Sequence, residues 1–298
     1  MSDAIRFDHV AYRTRGFAIE GLSLAVPTGS IYGFLGPNGA GKTTSIRLML
    51  GLLPVGAGAI TVLGRKVPAE LPVALAATGY VPERPHLHPF LTVAESIDLH
   101  AAFHVRFDRR WAGELIREFR LAPDRPLARL SKGEMGKLLI LQALCQQPEL
   151  LVLDEPTDGL DPVVRRDVLS AVVDYVAERQ ATVFISSHLV HELERLCDWV
   201  GVMDQGRLVT EMPMEHFKNG IKRLRLRGPT ERLAEAPFAV LSRSAKEPES
   251  AVWVVDRWEA RMTEWIDARG VAIDRVEDLD LEEGFVERLR ARREVARA

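Results

Sequence analysis

Apolar residues along this chain occur in two kinds of run. Ser30-Ile31-Tyr32-Gly33-Phe34-Leu35, Leu150-Leu151-Val152-Leu153 and Thr182-Val183-Phe184-Ile185 are short and continuous, and each stops at a polar end. That pattern predicts strands buried on both faces of a parallel sheet. Between them, Thr92–Leu99 and Trp111–Phe119 place apolar residues three and four apart, which predicts amphipathic helices. Residues 1 to about 80 read as short strands with turns, including Ala59–Gly64, and the stretch from Pro85 to about Pro148 reads as helical. The expected fold is therefore α/β. It has short N-terminal strands, a mainly parallel core sheet, and a helical subdomain inserted at about 85–148. Beyond about Phe217, Leu224–Arg227 and Val252–Val255 read as strands, and Trp258–Ala268 and Leu281–Arg293 as helices. These make a small α+β appendage, giving an expected division into 1–216 and 217–298.

Composition narrows the picture only a little. The chain has 298 residues, is 47% hydrophobic and carries a net charge of −3. It has ample material for one large core and no overall basicity that would suggest a nucleic-acid partner. Basic clusters at Lys218-Lys222-Arg223-Arg225-Arg227 and Arg288-Arg290-Arg292-Arg293 read first as solvated faces, with phospholipid or partner contact as the alternative. Cys145 and Cys197 lack C-x-x-C spacing, so neither a disulfide framework nor a structural zinc site is expected. The N-terminus lacks the basic-then-apolar order of a signal peptide, and no stretch is apolar enough to span a membrane. A cytoplasmic location is expected, with any membrane association made through a partner.

Chemistry enters at Gly36-Pro37-Asn38-Gly39-Ala40-Gly41-Lys42-Thr43-Thr44, which matches G-x-x-x-x-G-K-[ST] between a predicted strand and the predicted helix Ser45–Leu50. In such a phosphate-binding loop, glycines let successive N–H groups approach a β-phosphate, and the helix start adds its positive dipole end. Lys42 is placed to reach the β/γ oxygens and Thr43 to offer a hydroxyl to Mg²⁺. The second buried run ends in Asp154-Glu155-Pro156. Parallel sheets gather ligands at their carboxyl ends, so Asp154 is expected to face the metal and Glu155 to hold an attacking water. A solvated strand end would leave the same acids. Thr182–Ser187 runs into His188, which the same logic brings to the crevice as a γ-phosphate contact.

Two further segments complete the pattern: Leu130-Ser131-Lys132-Gly133-Glu134, and Asp158-Gly159-Leu160-Asp161 after the carboxylates. With the motifs above and in this order, across about residues 1 to 215, the chain resembles the ATP-binding subunit of ABC transporters, a P-loop NTPase family. The resemblance implies antiparallel N-terminal strands ahead of the parallel core, ATP and Mg²⁺ as ligands, Glu155 as catalytic base and His188 as switch histidine. It also implies Asp161 in the D-loop, and Ser131, Lys132, Gly133 and Glu134 as the signature that closes on the γ-phosphate of a second protomer. Ser131-x-x-Glu134 is equally a capping box that requires no ligand.

The final Leu281–Val286 resembles the tail of bacterial exporter ATPases of the drug, antibiotic and haem type. The resemblance therefore implies an exporter motor, pairing head to tail around two Mg-ATP and driving separate membrane permease subunits. A homodimer is the first expectation and a heterodimer the second. A non-transport ATPase switch on a soluble assembly is the alternative function. The sequence departs from the family pattern at Lys132 (usually Gly), at Glu134 (usually Gln) and at the Q-loop position, where Glu83 stands for Gln; a hard cation accepts either side chain there. The aromatic that stacks on adenine is out of register; Tyr12 is the first candidate and Phe17 the second.

Overall fold

The computed structural model describes residues 2–247 and 249–295. The chain divides into two compact units, Met1–His188 with Gly201–Leu208, and Leu189–Val200 with Val209–Ala298.

The first unit opens with β1 (Asp3–Thr14) and β2 (Phe17–Pro27), followed by β3 (Ile31–Leu35), α1 (Lys42–Met49), β4 (Ala57–Val62) and β5 (Arg65–Val67). Strands β1, β2, β4 and β5 form an antiparallel sheet in the order β2-β1-β4-β5. Its first two strands are far longer than the short strands the sequence suggested. Irregular register near Val10 breaks the strict alternation of β1, which hides its length from a pattern search.

Next come α2 (Leu71–Ala76), β6 (Thr78–Val81), α3 (Val93–Ala102), α4 (Arg109–Glu118), α5 (Lys132–Cys145), β7 (Leu150–Asp154), α6 (Pro162–Arg179), β8 (Thr182–Ser187), the short α7 (Val190–Leu193), β9 (Trp199–Asp204) and β10 (Arg207–Pro213). The second sheet has the order β10-β9-β3-β8-β7-β6, and β3, β8, β7 and β6 run parallel. Every residue of β3, β7 and β8 is buried, as continuous apolar strands covered on both faces must be. Phe184 stacks on Tyr32 at 5.5 Å and leans on Phe34 at 5.2 Å, which locks the central pair of strands. Because these strands are parallel, the residues that come after β3, β6, β7 and β8 all emerge at one edge.

Three helices between β6 and β7 form the inserted lobe. Thr92 caps α3 in a capping box with Glu95, Asp108 caps α4, and Ser131 caps α5 in a second capping box with Glu134. The α4 and α5 helices pack on each other, and α5 continues against α6. Tyr175 of α6 is fully buried, stacks on Trp111 at 5.7 Å and donates to the Pro148 carbonyl.

The second unit carries α8 (Met214–Asn219), β11 (Lys222–Arg227), β12 (Val240–Glu247), β13 (Ser250–Val255), α9 (Ala260–Asp267), β14 (Ala272–Asp278) and α10 (Leu281–Val295). Its antiparallel sheet has the order β12-β13-β11-β14. This is the strand order of a ferredoxin-like β-α-β-β-α-β unit in which the first helix has shrunk to a 3₁₀ turn at Thr230–Leu233. Leu224, Leu226, Leu233, Trp253, Val255, Ile266 and Val271 build its core. The basic run on β11 is neutralised by acids of β14 and α10: Lys222 by Asp278, Arg223 by Glu283 at 3.0 Å, Arg225 by Glu277 at 3.1 Å and Arg227 by Asp274. Lys218 faces Glu194. This ladder favours the reading of a paired, solvated face. In the other basic cluster Arg288 is buried against Asp256, and the side chain of Arg293 lies outside the described residues.

Among the described residues no helix is long and apolar enough to cross a membrane.

Candidate functional site

The loop between β3 and α1 folds into a tight cradle because two of its positions exclude side chains. A Cβ on Gly36 would sit 2.4 Å from the Met203 carbonyl oxygen. Gly41 has φ +113°, and its Cβ would meet Phe17 and Met203 at 2.8 Å. Gly41 is also the N-cap of α1, so the first free N–H groups of that helix open onto the cradle. Lys42, the first helical residue, is almost wholly buried. Its Nζ donates to the Gly36 carbonyl at 2.7 Å and lies 3.0 Å from Glu155 Oε1.

Asp154 ends β7 at 1% exposure. Its Oδ1 accepts from the Thr43 hydroxyl at 3.0 Å and from the Ser186 hydroxyl at 2.7 Å. Burial raises the Asp154 carboxyl above the ordinary range; the two hydroxyl donors pull it back, and the charges of Glu83 and Glu155 push it up again. A cation beside it would relieve that burden.

Glu155 occupies the left-handed region with φ +50°, an uncommon conformation for a residue with a side chain. Its N–H donates to the Ser186 carbonyl at 3.2 Å and to the Ser186 hydroxyl at 3.0 Å. That turn brings the carboxylate back over the cradle. There Oε1 faces Lys42, while Oε2 lies 2.8 Å from His188 Nδ1 and accepts from the His188 backbone N–H at 3.3 Å.

A cavity of about 610 Å³ opens over the cradle and Glu155, while Asp154, bonded to Thr43, is not among its lining residues. Phe17, Asn38 to Thr44, Glu83, Arg84, Glu155, Asp158 and His188 line it. Gly36 and Pro37 lie beneath the cradle, their carbonyls turned to Lys42. Phe17 is among the lining residues and Tyr12 is not. The reason is the β1–β2 turn: Phe17 is the first residue of β2 and packs beside Gly41, whereas Tyr12 pairs with Ile19 further along the ribbon. Arg84 and Asp158 also line the cavity. Asp158 opens the segment in which the sequence reading gave a role to Asp161 alone, and Arg84 was not singled out.

Thr43, Asp154 and Glu83 offer hard oxygens, the donor set a magnesium-type cation takes. Among the described residues no group of three or more His, Cys, Asp and Glu is arranged to hold a metal. The donors therefore fit a cation that brings most of its ligands with a polyphosphate.

The signature residues do not line this cavity. Ser131 and Glu134 satisfy each other in the capping box. Lys132 Nζ lies 3.0 Å from Asp158 Oδ2. A Cβ on Gly133 would press on Val164 at 3.2 Å. Asp161 caps α6, accepting from the Val163 and Val164 N–H groups at 3.0 and 3.1 Å.

Comparison with known proteins identifies the family. The family model described as ABC transporter matches residues 19–158. Over 203 residues the chain is 36% identical to the bacitracin transport ATP-binding protein BcrA of Bacillus licheniformis, covering 67% of this chain and 66% of that protein. It is 33% identical over 213 residues to the ABC transporter ATP-binding protein YhcH of Bacillus subtilis (strain 168), covering 70% of each. A match to the Nod factor export ATP-binding protein I of Burkholderia orbicola (strain AU 1054) is 37% identical and covers 65% of each. The chain thus spans about two thirds of the length of the curated relatives it matches. A solved ATP-binding subunit of an ABC transporter superposes with a TM-score of 0.66 at 27% identity, covering 72% of this chain and 92% of that one. A dimeric ATP-binding cassette bound to ADP and Pi shares the fold, with a TM-score of 0.63 at 21% identity, covering 70% of this chain and 98% of that one. Sequence, fold and the convergence of the cradle with Asp154, Glu155 and His188 agree, and the chain belongs to the ABC transporter family as an ATP-binding subunit resembling those of exporters.

Proposed function

We propose that this chain is the ATP-hydrolysing motor subunit of an exporter, closing head to tail with a second copy around two Mg-ATP and driving separate membrane permease subunits from the inner face of the cell membrane. The observation that carries the reading is the meeting of Lys42, Thr43, Asp154, Glu155 and His188 at one sheet edge.

Lys42 and Glu155 form a buried ion pair. Triphosphate oxygens compete for Lys42, whose release from Glu155 frees that carboxylate to hold the attacking water for in-line displacement. His188 keeps Glu155 oriented from the other side and presents its ring toward the terminal phosphate. Thr43 and Asp154, with Glu83 across the cavity, would hold Mg²⁺, which supplies charge neutralisation at the phosphates. No phosphoryl-enzyme is required.

Two findings support the transport side. Relatives named for bacitracin transport and Nod factor export match over 67% and 65% of this chain. The inserted lobe also exposes Phe90, Phe103 and Val105, and the latter two line a cavity of about 420 Å³ with Val73. Exposed large apolar residues grouped in this way suit a protein partner.

Phosphate release by the purified chain in Mg-ATP tests the reading. The expected result is turnover by the wild type, and its loss in Lys42→Ala and in Glu155→Gln, with nucleotide binding retained in Glu155→Gln. A wild type that neither binds nor hydrolyses ATP overturns it.

A further inference from the structure

The signature turn carries a carboxylate, Glu134, at the helix end where an incoming triphosphate would meet it. Helix N-termini favour anions because their first N–H groups are free and the dipole is positive there. In α5 that place is already taken. Glu134 Oε2 accepts from the Ser131 N–H at 2.8 Å and from the Ser131 hydroxyl at 2.9 Å. Those bonds hold the Glu134 carboxyl below the usual range, so it carries its charge at neutral pH. A second anion approaching the same turn would be repelled.

One side chain answers that charge directly. Arg125 Nη1 donates to the other oxygen, Glu134 Oε1, at 2.6 Å. Arg125 sits in the loop between α4 and α5, and its backbone is fixed twice. Its N–H donates to the Ala122 carbonyl, and its own carbonyl accepts from the Val93 N–H at the start of α3. The neighbouring Pro126 is bridged to Thr92. The guanidinium therefore comes from a loop bolted to the first helix of the lobe and reaches the cap of the third. Lys132, two residues before Glu134, is taken up by a different acid, its ammonium lying 3.0 Å from Asp158 Oδ2.

We infer that Arg125 is a positioning residue of the signature: by neutralising Glu134 and fixing it on the cap, it lets an acidic signature close on the triphosphate held by the second copy. The inference rests on the self-pairing motor reading above. It assigns a role to a residue outside every motif, and it accounts for how a chain with Glu134 rather than Gln retains a usable signature. With Arg125 removed, the capping box persists and the lobe stays folded, but an uncompensated carboxylate faces the incoming phosphates. Replacing Glu134 with Gln removes the need for the arginine.

The test is a four-way comparison of Mg-ATP turnover at rising protein concentration: wild type, Arg125→Gln, Glu134→Gln and Arg125→Gln/Glu134→Gln, with Arg125→Lys as the charge-retaining control. Thermal unfolding of each checks the fold. Arg125→Gln is expected to lose about tenfold in turnover at low salt, the effect of stripping one partner from a charge pair at an interface. That loss should shrink as salt screens the bare carboxylate. The double variant is expected within about twofold of Glu134→Gln alone, since the charge that Arg125 answers is gone. Arg125→Lys is expected to retain most of the rate. A wild-type rate in Arg125→Gln, or a defect that Glu134→Gln fails to rescue, overturns the inference while leaving the motor reading intact. A wild type that binds ATP yet neither self-associates nor turns over contradicts self-pairing and overturns both; one that binds no ATP removes the nucleotide site itself.

Discussion

Lys42 Nζ lies 3.0 Å from Glu155 Oε1, so the cation at the base of the cradle and the carboxylate that follows β7 form one buried ion pair. Both side chains are at least nine-tenths buried, and a charge left alone at such a site is costly. Triphosphate oxygens drawn to Lys42 would compete with Glu155 for that ammonium. The left-handed φ of Glu155 turns its carboxylate back toward Lys42.

Removing the metal-side carboxylate separates binding from turnover. Asp154→Asn keeps hydrogen-bonding partners for Thr43 and Ser186 but loses the charge. Turnover is expected to fall by about 100-fold or more, as when a group that fixes the phosphoryl-transfer metal is lost. Mg²⁺-free nucleotide binding is expected to survive. Equal loss of both would place Asp154 in folding rather than in the site.

Phe17 and Tyr12 make opposite predictions. Phe17→Ala is expected to weaken nucleotide affinity about tenfold, in line with roughly 1–3 kcal/mol for a base stacked on an aromatic ring. Tyr12→Ala, outside the cavity, is expected to leave affinity within about twofold of wild type by the same reasoning. Titration with a fluorescent adenine nucleotide distinguishes the two.

His100 gives the lobe a pH dependence. Burial, aided by His104 stacked at 4.6 Å, lowers the His100 imidazole to about 4. Gln146 and Phe107 close the remaining sides. A histidine whose folded pKa lies below its unfolded value near 6.5 is fully stabilising above that value. The contribution is lost as pH falls from about 6.5 through about 4. At about 1.4 kcal/mol for each tenfold change in acidity the ceiling is roughly 3 kcal/mol, and partial access of water to the ring lowers the measurable part. His100→Gln is expected to flatten the fall in melting temperature across this window; an unchanged slope would assign the acid sensitivity to other groups.

Arg288 should dominate the stability of the second unit. It is 5% exposed, bonds Asp256 at 2.7 Å and stands over the Phe217 ring at 5.1 Å. Arg288→Ala leaves Asp256 unpaired and is expected to cost about 3 kcal/mol, the usual consequence of stripping one partner from a buried ion pair. Denaturant unfolding monitored by tryptophan fluorescence reads this, because Trp253, Trp258 and Trp265 all lie in that unit.

Much of the first unit was legible because its strands are of the easily read kind. Ile31–Leu35, Leu150–Asp154 and Thr182–Ser187 are largely apolar runs, and they lead directly into the phosphate loop, into Glu155 and into His188. The strands β12 and β14 were not legible. Val240–Glu247 mixes Ser, Arg and Lys, and Ala272–Asp278 alternates charges; both are edge strands whose outward positions carry no apolar signal. Arg125 was invisible for a different reason. Its importance lies in one contact across nine residues of loop and cap, which no periodicity announces. The choice of Phe17 over Tyr12 depended on where the β1–β2 turn falls, and the register irregularities of β1 conceal that in the sequence.

The most direct test of the central claim is sedimentation of Glu155→Gln with and without Mg-ATP. Removal of the base should permit binding and block turnover, so the account predicts a shift from monomer to dimer on adding nucleotide, reversed by removing Mg²⁺. A chain that binds Mg-ATP and remains monomeric at saturating nucleotide would contradict the self-paired motor.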